Sequence, residues 1–165
     1  MSTAYLGIGS NVDADSHVRA GLAELHQYFG TVEISPVYRS RAVGFVGDDF
    51  LNLVARIQTD LQPLQLKQWL NQLENRYGRL RNVEKFSDRT LDIDILLFDD
   101  LYVRLPELTL PRSEILRFAH VLKPLADLAP NLIHPVSGVS MAALWNGFKG
   151  ERDGLVVCNI PDSTS

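Results

Sequence analysis

The chain has 165 residues, 45% of them hydrophobic and 22% charged, which suits one globular domain rather than a disordered segment. Its formal charge of −4 gives no general attraction to nucleic acid or to an anionic membrane, so we expect neither as a partner. The single cysteine, Cys158, excludes an internal disulfide, and the N-terminus has no signal-peptide pattern. No apolar segment approaches the ~20 residues of a membrane helix. We expect a cytoplasmic monomer with a single domain over residues 1–160 and a frayed tail over 161–165.

The first half of the chain predicts alternating strands and helices. A strand over residues 3–8 ends at the turn-prone residues 9–11. An amphipathic helix follows, capped by Asp15 or Ser16 and ended by Gly30, with apolar residues at spacings of three and four: Val18, Leu22, Leu25 and Phe29. Strands are predicted over 32–38 and 51–57, with a loop over 40–49 between them.

The second half predicts a helix from Pro63 to Gly78 and its clearest strand over 91–98. Residues 111–128 indicate loop or short helix up to about Phe118 and helix after it, followed by a short helix over 141–145 and a strand over 155–160. The order β-α-β-β-α-β is that of the split βαβ arrangement. We therefore predict an α+β, ferredoxin-like βαββαβ sandwich, with helices on one face of a mainly antiparallel sheet.

Two carboxylates stand out on the strand over 91–98. Alternation places Asp92 and Asp94 on the face opposite the apolar residues, with Cα atoms ~6.5–7 Å apart. Carboxylates at this spacing can share two cations ~3.5–4 Å apart. With no histidine or cysteine nearby, they favour magnesium over zinc. An isolated Asp-x-Asp is more often a solvated strand face, but two such carboxylates repel unless a cation offsets them.

A basic stretch precedes these aspartates. It lacks apolar periodicity, which indicates a loop, and it carries Arg76, Arg79, Arg81, Lys85 and Arg89. Guanidinium groups bind phosphate oxygens with two bonds at once. The alternative is a solvated charged loop, but arginines leading directly into paired aspartates favour phosphoryl chemistry.

Taken together, these residues resemble the 6-hydroxymethyl-7,8-dihydropterin pyrophosphokinase family over about residues 4–145. The likeness rests on residues 7–11, 38–40, 50–52, Glu74 with 78–81, and above all 89–94. It implies transfer of the terminal two phosphates of ATP to the hydroxymethyl group of a reduced pterin, releasing AMP, in folate biosynthesis. ATP would be the co-substrate, and two Mg²⁺ ions would be the cofactors.

The resemblance also implies a role for individual residues. The metal ligands would be Asp92 and Asp94, which with Arg79 and Arg89 form the catalytic group. The nucleotide would meet Asn71, Glu74, Arg81, Lys85, Ile95, Thr109 and Arg112. The pterin would meet Ser40, Val43, Phe50, Asn52 and His120.

Several positions depart from the family pattern. Arg112 stands where the family usually has a histidine, Phe118 where it has an arginine, and His120 where it has a second aromatic for the pterin. Phe86 replaces a tryptophan in the basic loop. Two alternatives therefore stay open: a divergent paralogue acting on another pterin-like alcohol, and a non-catalytic pterin- or nucleotide-binding protein.

Overall fold

The computed structural model describes residues 1–40, 49–78, 90–152 and 154–158. In chain order the elements are β1 (Ser2–Ser10), α1 (Ala14–Phe29), β2 (Val32–Ile34), β3 (Val37–Ser40), β4 (Phe50–Thr59), α2 (Pro63–Arg76), β5 (Asp92–Phe98), β6 (Val103–Arg104), β7 (Thr109–Leu110), α3 (Glu114–Arg117), α4 (Ala119–Leu128), α5 (Met141–Asn146) and β8 (Val156–Cys158). None of the helices in these described ranges is long and apolar enough to cross a membrane.

The main sheet has the strand order β5-β1-β4-β3-β8, with β2 also paired to β4. Each of these pairings is antiparallel. The first four strands of this order, with α1 and α2 as the connections, form the ferredoxin-like arrangement predicted from the sequence. β1 lies between β5 and β4, so residues 92–98 lie on one side of it and residues 50–59 on the other.

One face of the sheet forms the larger core with α1 and α2. Ala4, Leu6 and Ile8 of β1 point into it, and each is at most 2% exposed. The helices contribute leucines and a valine at helical spacing: Val18, Leu22, Leu25, Leu66, Leu70 and Leu73. Apolar residues recur every second position in the strands and about every 3.6 positions in the helices. The strands and helices thus bury their apolar sides against each other, as the sequence pattern predicts.

The opposite face carries a second core under the C-terminal helices. Tyr5, Val54 and Leu96 pack there with residues of α3 and α4, among them Ile115, Leu122 and Leu125. The prediction of helices on one face is therefore right for α1 and α2 and wrong for α4. The physical reason is that the intervening residues of the same strands are also apolar, and burying them stabilises the fold by about 25 cal/mol per Å².

A β-bulge lies in β5. Tyr5 pairs with Leu97 and Leu6 pairs with Ile95, so Leu96 is an extra residue on β5. Leu96 and Leu97 both join the second core as a result. The strict alternation expected over 91–98 holds only up to the bulge.

Several element boundaries differ from the prediction. The strand expected over 32–38 is two strands, because Ser35 and Pro36 interrupt it and proline has no N–H for the ladder. The α1 N-cap is Asp13, at φ 44°, so the expected caps Asp15 and Ser16 lie inside the helix. Gly30 ends α1 at φ 83°, as predicted. Ser40, expected to open a loop, still belongs to β3.

The C-terminal third is close to the prediction. α4 follows Phe118, β8 falls within its expected range, and α5 extends one residue beyond its expected end, to Asn146. The small β6–β7 hairpin was not predicted, because two-residue strands give no periodic signal. Residues 41–48 of the loop expected over 40–49, and the tail over 161–165, lie outside the described residues.

Candidate active site

A row of residues crosses the sheet on the face opposite the larger core. Gly9 of β1 lies opposite Asp92 on one side and opposite Asn52 on the other. Gly7, two residues earlier, lies opposite Asp94. Since residues paired across a sheet point to the same face, both predicted metal ligands and the predicted pterin amide share one surface. Two strand spacings separate Asp92 from Asn52, or about 10 Å between Cα atoms.

Glycine forms the floor between these groups. A Cβ on Gly9 would lie 2.9 Å from Oδ1 of Asn52, so the amide sits directly over this backbone. A Cβ on Gly7 would lie 3.3 Å from the side chain of Leu96. The two glycines therefore leave space between the carboxylates and the amide.

The two aspartates suit a hard cation. Both are half-buried, while Ile93 between them is 4% exposed and faces the larger core. Within the described ranges, no cluster of three or more His, Cys, Asp or Glu side chains could hold a metal ion. Mg²⁺ is commonly held by one or two carboxylates completed by water and substrate phosphates, so the pair fits it.

Arg112 reaches this pair from the segment before α3. Its Nη2 lies 3.9 Å from Oδ2 of Asp94 and also donates to Oε2 of Glu114. Burial lowers the pKa of Arg112, but the nearby carboxylates of Asp94 and Glu114 outweigh burial and raise it overall. Burial likewise raises the pKa of Glu114, and the Arg112 guanidinium outweighs it to give a net lowering. Arg112 thus places a positive charge beside β5, the strand that carries Asp92 and Asp94.

The predicted pterin residues meet on β3 and β4. Nδ2 of Asn52 donates to Oγ of Ser40 at 2.9 Å, which fixes the amide orientation. Phe50 lies opposite Ser40 and two residues from Asn52, so its side chain is on the same face. An oriented amide beside an aromatic ring can bind a flat heterocycle with paired donors and acceptors.

His120 lies at the start of α4, over this face of the sheet. Its ring stacks on Phe118 with centroids 5.2 Å apart and planes at 22°. Burial lowers the pKa of His120, and the charge of Glu114 offsets part of that lowering. His120 therefore takes up its proton at a lower pH than an unburied imidazole does.

The predicted nucleotide residues lie around the outer edge of β5, the edge away from β1. Glu74 of α2 is 1% exposed, and its Oε2 accepts the Ile93 backbone N–H at 2.9 Å. Asn71 is one helical turn away and half-buried. The Ile95 side chain is 4% exposed in the larger core, which leaves its backbone as the part that faces the strand edge. Thr109 is half-buried in β7, paired with Arg104.

Five predicted site residues lie outside the described ranges: Val43, Arg79, Arg81, Lys85 and Arg89. The structure also adds two residues near the site that the sequence analysis did not predict, Glu114 and Asp127. Glu114 pairs with Arg112, and Asp127 of α4 accepts the hydroxyl of Tyr38, the residue opposite Asn52. Burial, followed by the Asp127 hydrogen bond, raises the pKa of Tyr38. Tyr38 and Asp127 are 89 positions apart, so no local pattern could have joined them.

The sequence also matches known proteins over most of its length. The 7,8-dihydro-6-hydroxymethylpterin-pyrophosphokinase (HPPK) family model matches residues 5–130. A 2-amino-4-hydroxy-6-hydroxymethyldihydropteridine pyrophosphokinase from Pseudomonas aeruginosa is 38% identical over 139 residues, covering 82% of this chain and 85% of that protein. The enzyme of the same name from Aquifex aeolicus is 36% identical over 138 residues, covering 82% and 86%.

Solved structures share the fold. Plasmodium falciparum HPPK-DHPS, solved as the wild type, superposes with a TM-score of 0.68 at 15% identity. The match covers 88% of this chain and 44% of that one, so this chain spans less than half of the longer protein. The family-model match over residues 5–130 and the two pyrophosphokinase relatives show that the chain belongs to the 7,8-dihydro-6-hydroxymethylpterin-pyrophosphokinase family.

Proposed function

We propose that the protein transfers the terminal diphosphoryl group of ATP to the hydroxymethyl group of 6-hydroxymethyl-7,8-dihydropterin and releases AMP, a step of folate biosynthesis. The observation that carries this proposal is the row Asp92, Gly9 and Asn52 on one sheet face. It brings a magnesium-type carboxylate pair within about 10 Å of an oriented amide, with a glycine floor between them. A triphosphate at one end and a pterin at the other would meet over Gly9.

The reaction forms one phosphorus–oxygen bond and breaks another. The hydroxymethyl oxygen of the pterin attacks the β-phosphorus of ATP, and the bond from that phosphorus to the oxygen bridging to the α-phosphate breaks. AMP leaves with the bridging oxygen, and the hydroxyl proton passes to solvent. Because no protein atom is bonded to the transferred group, catalysis is positioning and electrostatic stabilisation.

Each part of the site has one task in this scheme. Asn52, oriented by Ser40, would read the pterin edge, with Phe50 against one ring face and His120 against the other. Asp92 and Asp94 would hold two Mg²⁺ ions, which neutralise triphosphate charge when bound. Val43 would contact the pterin; Arg79 and Arg89 would support the chemical step, and Arg81 and Lys85 would contact the nucleotide.

The nucleotide would lie along the outer edge of β5, the edge away from β1. Asn71 and Glu74 of α2 flank this edge on one side, and Thr109 and Arg112 lie on the other. We infer that the Ile95 backbone, rather than its buried side chain, meets the adenine. Glu74 acts through the Ile93 N–H, because its carboxylate is 1% exposed.

Similarity to named pyrophosphokinases supports this enzyme over the two alternatives, a paralogue with another pterin-like substrate and a non-catalytic binder. Relatives at 36–38% identity span most of the chain, including the strand of Asp92 and Asp94. We further propose that residues 1–160 form one domain that acts as a cytoplasmic monomer.

AMP release from ATP, measured with and without 6-hydroxymethyl-7,8-dihydropterin, tests the reaction. Asp92→Asn and Asp94→Asn should each lower the pterin-dependent rate by about a hundredfold or more, since a lost metal ligand removes several kcal/mol of charge stabilisation. Asp100→Asn, the same change at an exposed position beyond β5, is the matched control and should retain the parent rate. A folded aspartate variant with near-parent activity would reject the assignment.

A further inference from the structure

Arg112 lies beside β5, the strand that carries the predicted metal ligands. Its backbone N–H donates to the carbonyl of Leu96 at 3.0 Å, which fixes the residue against β5. Its side chain is 27% exposed and lies between two carboxylates, Asp94 and Glu114. Nε of Arg112 is buried and has no hydrogen-bond partner in the described part of the chain. One edge of the guanidinium is thus engaged while part of its hydrogen-bonding capacity is unused.

We propose that Arg112 is a resident counter-cation of Asp94 in the metal-free protein, and that it turns from this carboxylate to the triphosphate when metal and nucleotide bind. The proposal rests on the proposed function, since it takes Asp94 as a magnesium ligand and places the phosphates over it. The resemblance already implies that Arg112 meets the nucleotide; the proposal adds the exchange of Arg112 between Asp94 and the phosphates, at a position where the family usually has a histidine.

The first half of the argument concerns the protein without nucleotide. Three carboxylates, Asp92, Asp94 and Glu114, lie around this guanidinium, and all three raise its pKa. The positive charge offsets the mutual repulsion of the aspartates. A divalent cation at Asp94 would meet a like charge 3.9 Å from the carboxylate oxygen and would have to displace it. Arg112 should therefore weaken the binding of metal alone.

The second half concerns the nucleotide complex, where the sign reverses. ATP brings about four negative charges and the two aspartates add two more, so two Mg²⁺ ions leave about two negative charges unneutralised and a nearby guanidinium becomes favourable. Arginine binds phosphate oxygens through two parallel N–H bonds. A rotation away from Asp94 would turn the Nε–H and one Nη2–H of Arg112 to the phosphates, while the second Nη2–H keeps the ion pair with Glu114.

The test is a pair of opposite changes in one variant. Arg112→Gln should bind Mn²⁺ alone, followed by calorimetry or by the paramagnetic signal of free Mn²⁺, about threefold to tenfold more tightly than the parent. The same variant should bind α,β-methylene ATP with Mg²⁺ about tenfold or more weakly. Arg19→Gln removes an arginine from an ion pair on α1, with Asp15, and as a matched control should change neither affinity.

Glu114 provides a second variant. Glu114→Gln should weaken Mn²⁺ binding, because the guanidinium is then shared with Asp94 alone. If Glu114 acts through Arg112, this effect should shrink when Arg112→Gln is already present, and a double-mutant cycle measures the difference. An unchanged effect of Glu114→Gln in the double variant would overturn the coupling.

The outcomes separate this proposal from the proposed function. Unchanged or weaker Mn²⁺ binding by Arg112→Gln, or unchanged binding of the ATP analogue, would overturn the counter-cation role. Opposite changes in a protein that releases no AMP would support the role and reject the reaction. Should Arg112→Gln fail to fold, Arg112→Lys keeps the charge and loses the fork. Lysine should leave Mn²⁺ affinity near the parent value and weaken the analogue; parent affinity for both would again overturn the proposal.

Discussion

Gly9→Ala tests the glycine floor with one methyl group. Gly9 is outside the left-handed region, so alanine adds no backbone strain and the effect is one of space. The new Cβ would lie 2.9 Å from Oδ1 of Asn52, and the amide must retreat about 0.5 Å to reach an ordinary contact of 3.4 Å. That shift disturbs the 2.9 Å hydrogen bond to Ser40 and the edge offered to the pterin. A misplaced buried hydrogen bond costs about 1–3 kcal/mol, or roughly 5- to 150-fold in affinity.

Pterin affinity, followed by the fluorescence of the pterin, is the direct assay, and kcat/KM for the pterin should fall in parallel. Gly7→Ala is the matched control on the same strand face, because its Cβ would meet the flexible Leu96 side chain at 3.3 Å. We expect Gly7→Ala to change stability slightly and pterin affinity little. The reasoning fails if Gly9→Ala binds the pterin within twofold of the parent, or if it loses ATP and pterin affinity equally.

Two further predictions concern buried titratable groups. Since burial lowers the pKa of His120, the unfolded chain binds the proton first as pH falls, so the free energy of unfolding should drop below about pH 6.5. His120→Phe should flatten part of that slope in urea titrations, leaving the part due to His134, whose pKa is also lowered by burial. It should also tighten pterin binding by a few-fold, because a larger ring stacks better; identical curves for variant and parent across pH 5–7 would refute both effects. Glu74→Gln keeps an oxygen acceptor for the Ile93 N–H, whereas Glu74→Leu leaves that buried donor unpaired. Leucine should cost about 1–3 kcal/mol of unfolding free energy and weaken Mn²⁺ binding, with glutamine restoring most of both; leucine as benign as glutamine would contradict the strand-positioning role.

Local periodicity was enough to predict the central part of the site. The alternation around Ile93 places both aspartates on one face, and this holds because the intervening side chains are buried. The first two helices and their core leucines follow from the same kind of signal. Residue identity within the family-like segments also indicated Asn52 and Ser40 as one group, and the structure joins them by a hydrogen bond.

Long-range contacts were beyond a single sequence. The Arg112–Glu114 ion pair depends on how the chain turns before α3. Two residues separated by one position do not predict an ion pair unless the conformation of that turn is known. The Tyr38–Asp127 hydrogen bond requires α4 to cross the second face of the sheet. Glu74 reads as a polar residue on an amphipathic helix, and only the docking of α2 along β5 turns it into a buried partner of the backbone.

The pleat of β5 makes this region intolerant of changes in chain length. Site and core residues follow one another at intervals of about 3.3 Å, so deleting or inserting one residue between Leu91 and Ile95 would exchange their positions. The aspartates would point into the larger core and the isoleucines would lie on the face that carries the predicted site. The bulge at Leu96 shows where the strand already absorbs an extra residue without this exchange. Length variation among related chains should therefore collect at or beyond Leu96 and be absent from the five residues before it.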